Sequence, residues 1–471
     1  MQILFASLLA MGMTVMLIPI LMQHAGRLGV LDHPGGRKVH ASPIPRVGGI
    51  AMAAGMLGAL LMWGNHSHQL QVYCLALTVL LVFGVMDDRM TLSPKWKLLG
   101  QVMAALIIMF PGKINIGSVH HIASYDLPVW LSMPLTLLFI VGVTNAINLA
   151  DGLDGLAGGT TLLCFTGLAL LAFTGGSDVV AFSSVITIGA VLGFLRYNTH
   201  PARVFMGDAG SQLLGFSAAV LSLILTQDNE LLFSASLPLL LLGVPAIDTL
   251  MVMTERILDG RSPFQADRNH IHHRLLSLGF RHHEAVIIIY GAQALLLVMA
   301  WNLRYASDVV IVLTFIAIAV AIVTALHVAK SRHWQCHVAK EHLPASSPTW
   351  LQGRMQWLRI NERLNRVAGA VIGICIVAYG TVVGINCVNV PIDIRVLASV
   401  AALIVLASIL VKRAGRETGW LERATLYTSA LIAVYLDHTG IIRPEIQFAI
   451  ECSVFGLMII GTGIRMFLRT E

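Results

Sequence analysis

Charge is scarce in this sequence. Only 12% of its 471 residues are Asp, Glu, Lys or Arg, against about 25% in a soluble domain. The six cysteines, Cys74, Cys164, Cys336, Cys375, Cys387 and Cys452, show no CxxC pair and no regular spacing. That excludes a disulfide framework or a cysteine zinc site and leaves them as small buried hydrophobes. No HExxH pattern occurs, so a zinc hydrolase helix is absent too. The opening stretch, "MQILFASLLAMGMTVMLIPILMQ", lacks a basic n-region and is long enough to span a bilayer, so it reads as an uncleaved first span.

What is present is apolar. Hydrophobic residues make up 56% of the chain and the mean hydropathy is +0.78. Apolar runs of about 18 residues or more recur throughout, the length a bilayer core demands. The fold class expected is an all-α, polytopic membrane helical bundle. Spans are expected at about 3–22, 48–65, 70–86, 98–112, 129–149, 156–174, 178–195, 211–227, 231–254, 285–302 and 307–329, a core of about 11 within residues 1–330. A cytoplasmic linker, 331–365, follows. Residues 366–471 add about four more spans, at 366–386, 394–411, 424–437 and 446–464, with no legible motif.

With the N-terminus outside, all of the 31 Lys and Arg residues except Lys113, Arg304, Arg395 and Arg443 fall on the cytoplasmic side. This positive-inside bias predicts a multi-pass protein with its N-terminus outside. The net charge of +6 is then loop charge facing lipid headgroups, with no nucleic-acid partner required.

Polar residues that are costly in a membrane mark function. Here they fall into five segments: "LDHPGGRKVHASPIPRVGG" (31–49), "MDDRMTLSPKWKLLGQ" (86–101), "NAINLADGLDGLAGG" (145–159), "RYNTHPARVFMGDAGSQLLG" (196–215) and "ERILDGRSPFQADRNHIHHRLL" (255–276). The span order puts all five on one side, the cytoplasmic one. A transporter needs polar groups near the midplane, reached from both sides, and an internal repeat; a one-sided face favours an enzyme that meets a water-soluble substrate and a lipid.

Each segment suggests chemistry. Asp87 and Asp88 point about 100° apart on a helix, so one can orient substrate or act as base while the other binds metal or a lysine. Two acids at a helix C-terminus also oppose its dipole. Asp151 and Asp154 are three apart, which places them on one helix face; Asn145 and Asn148 repeat at three as well. Asp208, in "FMGDAGS", opens a helix whose free N–H groups suit phosphate. Mg²⁺ prefers carboxylate oxygen and shares phosphate oxygens, so Asp208 is the first-choice metal ligand. His270, His272 and His273, with Arg268 and Arg274, resemble a cationic clamp for a diphosphate, and Arg261 extends it. Zinc is the alternative for the histidines. The reaction class is phosphoryl transfer to or from a membrane lipid.

These segments together resemble the polyprenyl-phosphate N-acetylhexosamine-1-phosphate transferases, relatives of the phospho-N-acetylmuramoyl-pentapeptide translocase. The pattern D-x-P-x-x-R-K-x-H, P-x-P, G-G reads as Asp32, Pro34, Arg37, Lys38, His40, Pro43, Pro45, Gly48 and Gly49. Asp87-Asp88, the run Asn145, Asn148, Asp151, Gly152, Asp154, Gly155, then Gly207 to Ser211, and His270-Ile271-His272-His273 complete it. The likeness covers about residues 1–330. The HxHH form in "SPFxxDRxHxHH" is similar to the branch that starts O-antigen, enterobacterial common antigen or teichoic acid chains.

The resemblance implies transfer of N-acetylhexosamine 1-phosphate, GlcNAc-1-phosphate first, from a UDP-sugar to undecaprenyl phosphate with release of UMP. It also implies the bacterial inner membrane, with the N-terminus periplasmic. UDP-N-acetylgalactosamine and UDP-N-acetylfucosamine are alternative donors, and a lipid or solute transporter is the rival class. It implies catalytic roles for Asp87, Asp88, Asp208 and His270. Substrate-binding roles fall to Arg37, Lys38, His40, Lys97, Asn145, Asn148, Asp151, Asp154, Arg261, Arg268, His272 and His273. Asp208 and Asp88 would hold Mg²⁺, with Mn²⁺ as the second choice. Expected partners are the UDP-sugar, undecaprenyl phosphate and membrane lipids; a homodimer stays open. A phosphate monoester is mostly dianionic at pH 7, its second pKa being about 6, so Asp87 is expected to orient the lipid phosphate rather than deprotonate it. Asp248 is expected to support the same face.

Overall fold

The computed structural model describes residues 2–32, 43–63, 67–117, 127–227, 233–262, 269–332 and 334–336. Arg37, Lys38, His40 and Arg268, nearly all of the linker and the four C-terminal spans lie outside the described residues. Every described residue belongs to one unit of the chain, Gln2–His337.

The apolar runs fold as helices. They are α1 Gln2–Leu28, α2 Gly48–Trp63, α3 His68–Met90, α4 Pro94–Met109, α5 Val129–Ala150, α6 Leu156–Gly175, α7 Asp178–Asn198 and α8 Gly207–Gln227. Then come α9 Pro238–Leu241, α10 Gly243–Leu258, α11 Ile271–Ser277, α12 His282–Asn302 and α13 Asp308–Ser331. Among the described residues eight helices, α1, α3, α5 to α8, α12 and α13, are long and apolar enough to cross a membrane. The protein is a polytopic helical membrane protein. Helices serve because lipid offers no partners to backbone N–H and C=O groups, which must be satisfied within the segment.

Helix α8 is the axis of the bundle. Its apolar window is 100% buried, against 17% for the peripheral α13. It packs on α5, α3, α2 and α6. Small residues permit this: a side chain at Gly49 of α2 would lie 2.2 Å from the Gly210 nitrogen, so these two backbones touch. Large apolar side chains such as Leu138 and Leu313 point outward, as expected where the surroundings are lipid rather than water.

The span expected at 231–254 is broken, which corrects that expectation. Pro238 starts α9, the chain turns at Leu242, and α10 restarts at Gly243 with Pro245 in its first turn. Pro245 has no N–H for the Leu241 carbonyl. Gln293 of α12 mends the gap: its Nε2 donates to Leu241 O (2.8 Å) and its Oε1 accepts from Val244 N–H (3.1 Å). A buried polar side chain thus replaces the missing helical bonds.

A short antiparallel ribbon, β1 Leu31–Asp32 and β2 Ile44–Pro45, leads into α2. Phe205 N–H donates to Pro45 O (2.9 Å) and Gly48 N–H to Phe205 O (3.0 Å). These bonds fix the start of α2 beside the start of α8. The ends of α3, α5 and α7 and the starts of α4, α6, α8 and α12 then lie at the same end of the bundle.

Candidate active site

The local chain sets Asp87 and Asp88 apart. Thr91, left-handed at φ 49°, ends α3 by donating its N–H to Asp87 O (2.8 Å). Leu92 N–H then reaches Asp87 Oδ1 (2.7 Å). Pro94 suits the first turn of α4, and one turn in, Lys97 Nζ meets Asp87 Oδ2 at 2.5 Å. Asp88 faces the other way. Its Oδ1 accepts the N–H of Asp208 (2.8 Å) and its Oδ2 that of Ala209 (3.0 Å).

This answers why two acids end one helix. Their charge opposes the dipole of α3, but Asp88 spends it at the positive start of α8. Gly207 is required there: φ is +68°, and an added Cβ would lie 2.4 Å from Asp88 Oδ2. Asp88 is thus the cap of α8, with one N–H on each carboxylate oxygen.

Asp208 is the meeting point. Lys97 Nζ lies 3.4 Å from its Oδ2, and Asn148 Nδ2 donates to its Oδ1 (2.7 Å) and to Ser211 Oγ (2.7 Å). Asn145 Nδ2 donates to Gln101 Oε1 (2.7 Å), and Gln101 Nε2 to Gln212 Oε1 (3.2 Å). Gln101 and Gln212 were missed from the sequence; an amide in an otherwise apolar run was the available signal.

Asp151 and Asp154 do not share a helix face, a correction. Helix α5 ends at Ala150, Asp151 caps it, and the chain turns through Gly155 at φ +78°. Asp151 lies within reach of the charges of Asp208 and Asp88. Burial, reinforced by the negative charges of Asp208, Asp88 and Asp154 and opposed by Arg46, pushes its carboxyl up to about 7. Among the described residues no hydrogen bond reaches that carboxylate. Asp154 turns instead to His200, whose Nδ1 lies 2.7 Å from Oδ2, and to the Ala202 N–H (3.0 Å).

The histidine segment differs most from expectation. His270 caps α11, and its Nδ1 lies 2.8 Å from Asp248 Oδ2, while Ile271 N–H donates to Asp248 Oδ1 (2.7 Å). Asp248 therefore supports His270 directly. His272 is buried, and burial, then the neighbouring His273, lowers its pKa to about 4. It is neutral at pH 7. Arg274 is engaged by Glu255 and Asn269 O, and Arg261 by Asp259. Among the described residues both arginines of the expected clamp are thus paired with acids, and His272 is neutral. His273 stacks obliquely on His272, rings 4.2 Å apart. The His272 ring lies against Gly152, where a Cβ would come within 2.2 Å of Nε2. The histidines therefore adjoin the acidic cluster beside Asp151.

The family model for glycosyl transferase family 4 matches residues 70–226, which contain Asp87, Asp88, Asp151 and Asp208. The chain is 40% identical over 281 residues to a probable undecaprenyl-phosphate N-acetylglucosaminyl 1-phosphate transferase of Bacillus subtilis, covering 59% of this chain and 78% of that one. It is 36% identical over 301 residues to a decaprenyl-phosphate N-acetylglucosaminephosphotransferase of Mycobacterium tuberculosis, covering 56% and 74%. With an undecaprenyl-phosphate alpha-N-acetylglucosaminyl 1-phosphate transferase of Escherichia coli it shares 32% over 278 residues, covering 58% and 76%.

Proposed function

The chain belongs to glycosyl transferase family 4 and is a phosphoglycosyl transferase; from that premise we propose that it transfers N-acetylglucosamine 1-phosphate from the UDP-sugar to undecaprenyl phosphate. UMP leaves, and the lipid-linked sugar starts a surface glycan such as O-antigen. The relatives' names support the lipid and the sugar. The positive-inside count supports an inner-membrane protein with this face cytoplasmic.

One observation carries the reading. Asp208 stands at the head of the central helix between Lys97 and Asn148, within reach of the charge of an Asp151 carboxylate without a hydrogen bond among the described residues. Negative charges gathered this closely raise the Asp151 carboxyl, and a bound cation would relieve the same repulsion. Hard oxygen donors suit Mg²⁺, with Mn²⁺ next, so Asp208 and Asp151 fit that ion better than Asp208 and Asp88. Bound there, the ion would neutralise charge developing on the diphosphate.

The chain's own groups do the rest. An oxygen of the lipid phosphate attacks the β-phosphorus of the donor. The bond from that phosphorus to the bridging oxygen breaks, and the oxygen leaves on UMP. No proton need be removed from a dianionic nucleophile. Asp87 is held by Leu92 N–H and Lys97, so its task is to place the Lys97 ammonium, which gathers lipid phosphate and donor. Asn148 fixes the Asp208 rotamer. Asp88 fixes the start of α8 by accepting the N–H groups of Asp208 and Ala209, and with it the place of the Asp208 carboxylate. Asp248 orients His270 so that its Nε2 faces away from the acid. His272, neutral, acts as a hydrogen-bonding group rather than a counter-ion.

The test is a purified-protein assay with undecaprenyl phosphate, Mg²⁺ and a panel of radiolabelled UDP-N-acetylhexosamines. The expected result is lipid product and equimolar UMP, with UDP-N-acetylglucosamine preferred. Preference for another UDP-sugar overturns the donor; turnover of none overturns the reading.

A further inference from the structure

Outside the Asp208 cluster the same end of the bundle carries a second group of ligating atoms, of different character. Asp154, His200 and His282 each offer one ligand atom, and the three atoms lie within 4.8 Å of one another. They come from three places: the turn after α5, the segment after α7 and the first residue of α12. His200 Nδ1 is 2.7 Å from Asp154 Oδ2, and His282 Nε2 is 3.1 Å from the Asp154 carbonyl oxygen. The two imidazoles stack with centroids 4.2 Å apart and planes 25° from parallel. We propose that Asp154, His200 and His282 form a binding site for a borderline-soft divalent cation of the zinc type.

A simple acid–imidazole pair explains the contact of Asp154 with His200. His282 is turned to the same residue by its own bond to the Asp154 carbonyl oxygen, which brings a second imidazole beside the carboxylate. Imidazole and one carboxylate suit zinc, nickel or copper, whereas carboxylates and water suit magnesium. The molecule thus sorts its ligands: acids alone around Asp208, imidazoles here. Zinc–nitrogen and zinc–oxygen bonds of about 2.0–2.2 Å require only a small opening of the Asp154–His200 pair, the metal replacing the proton now between them.

The carboxylate is held ready. Gly155, the next residue, is fixed on both sides: Asn198 Oδ1 accepts its N–H (2.9 Å), and Tyr290 donates its hydroxyl to its carbonyl (2.5 Å). The His200 side chain is 40% exposed and that of Asp154 20%, so an ion can enter from water, which also supplies the fourth ligand. Occupancy would tie three segments together, none adjacent in sequence, and raise the resistance of the folded chain to heat.

The site requires neither the UDP-sugar nor the lipid, so its test is independent of the reaction. Tag-free full-length protein in detergent micelles, with excess Mg²⁺ present, is titrated with Zn²⁺ by calorimetry and with Co²⁺ by visible absorption. One saturable Zn²⁺ per chain is expected, with a higher melting temperature. His200→Gln and His282→Gln should each weaken binding by at least about 10-fold, the least that loss of a partner outside the coordination shell costs. Asp208→Asn should leave it unchanged. His200 is exposed enough to tolerate the change, and melting curves establish that each variant is folded. No saturable binding to the wild type overturns the proposal. So does zinc binding that survives both histidine substitutions, which would place the ion on His270–His273.

Discussion

The acidic cluster and the histidine cluster are neighbours, divided by Gly152, yet built on opposite principles. Around Asp208, four carboxylates converge with Lys97 as the ammonium among them, and Asp151 is left without a hydrogen bond among the described residues. Around His270, charge is matched locally: one acid meets one imidazole, Arg274 meets Glu255, and His272 is neutral. A cluster satisfied in itself is a scaffold. A cluster short of positive charge is a receptor for a cation and whatever that cation carries. On the proposed function, the chemistry belongs to the α3–α5–α8 junction and the positioning to α10–α11.

The sharpest way to break this comparison is to remove one acid from each side. Asp208→Asn keeps the shape and the bond from Asn148 but halves the carboxylate pair. Turnover should fall by about 10³-fold, the upper range for losing a preorganised electrostatic group, with the melting temperature unchanged or raised. Asp248→Asn should cost less, about 10- to 100-fold, because it removes one hydrogen bond to a charged acceptor, worth about 1.5–3 kcal/mol. Its loss should fall on turnover and on the pH profile, since the His270 tautomer is no longer set. If Asp248→Asn is the more damaging at equal folding, the histidine cluster holds the reacting atoms and the assignment is reversed.

Much of this was legible from the sequence, for a physical reason. Bilayer thickness fixes the length of an apolar run, so α1, α3, α5 to α8, α12 and α13 could be read directly from hydropathy. Asp208 at a helix start also followed from the glycine-flanked turn that precedes the run. What was not legible depends on partners distant in sequence. The break at Leu242 is stable only because Gln293, about fifty positions on, supplies both halves of the missing bonding. The separation of Asp151 from Asp154 follows from Gly155 and its tethers Asn198 and Tyr290. That Asp88 caps α8 depends on amides about 120 positions on. The neutrality of His272 and the acid partners of Arg274 and Arg261 were not legible because composition counts histidines and arginines but not the acids and the burial that they meet. A polar residue inside an apolar run, such as Gln293, was the signal available for the first of these partners.

The smallest effect expected is on stability, and it separates the two clusters by sign. The Asp151 carboxyl, raised to about 7 from an ordinary 3.8, holds its proton in the folded chain where the unfolded chain has lost it. Its contribution is present below about pH 4 and is lost as the pH rises to about 7. His272, lowered to about 4 from 6.5, works the other way: its contribution is present above about pH 6.5 and is lost as the pH falls toward 4. In chelator, Asp151→Asn should therefore raise the melting temperature by a few degrees at pH 8 and by nothing at pH 4. His272→Gln should flatten the acid side and leave pH 8 unchanged. Added Mg²⁺ should stabilise the wild type at pH 8 and do much less for Asp151→Asn, because the ion relieves the same repulsion that the substitution removes. A wild type indifferent to Mg²⁺ at pH 8, with Asp151→Asn no more stable, would mean that the carboxylates around Asp208 are already balanced and that the cluster is not a receptor for a cation.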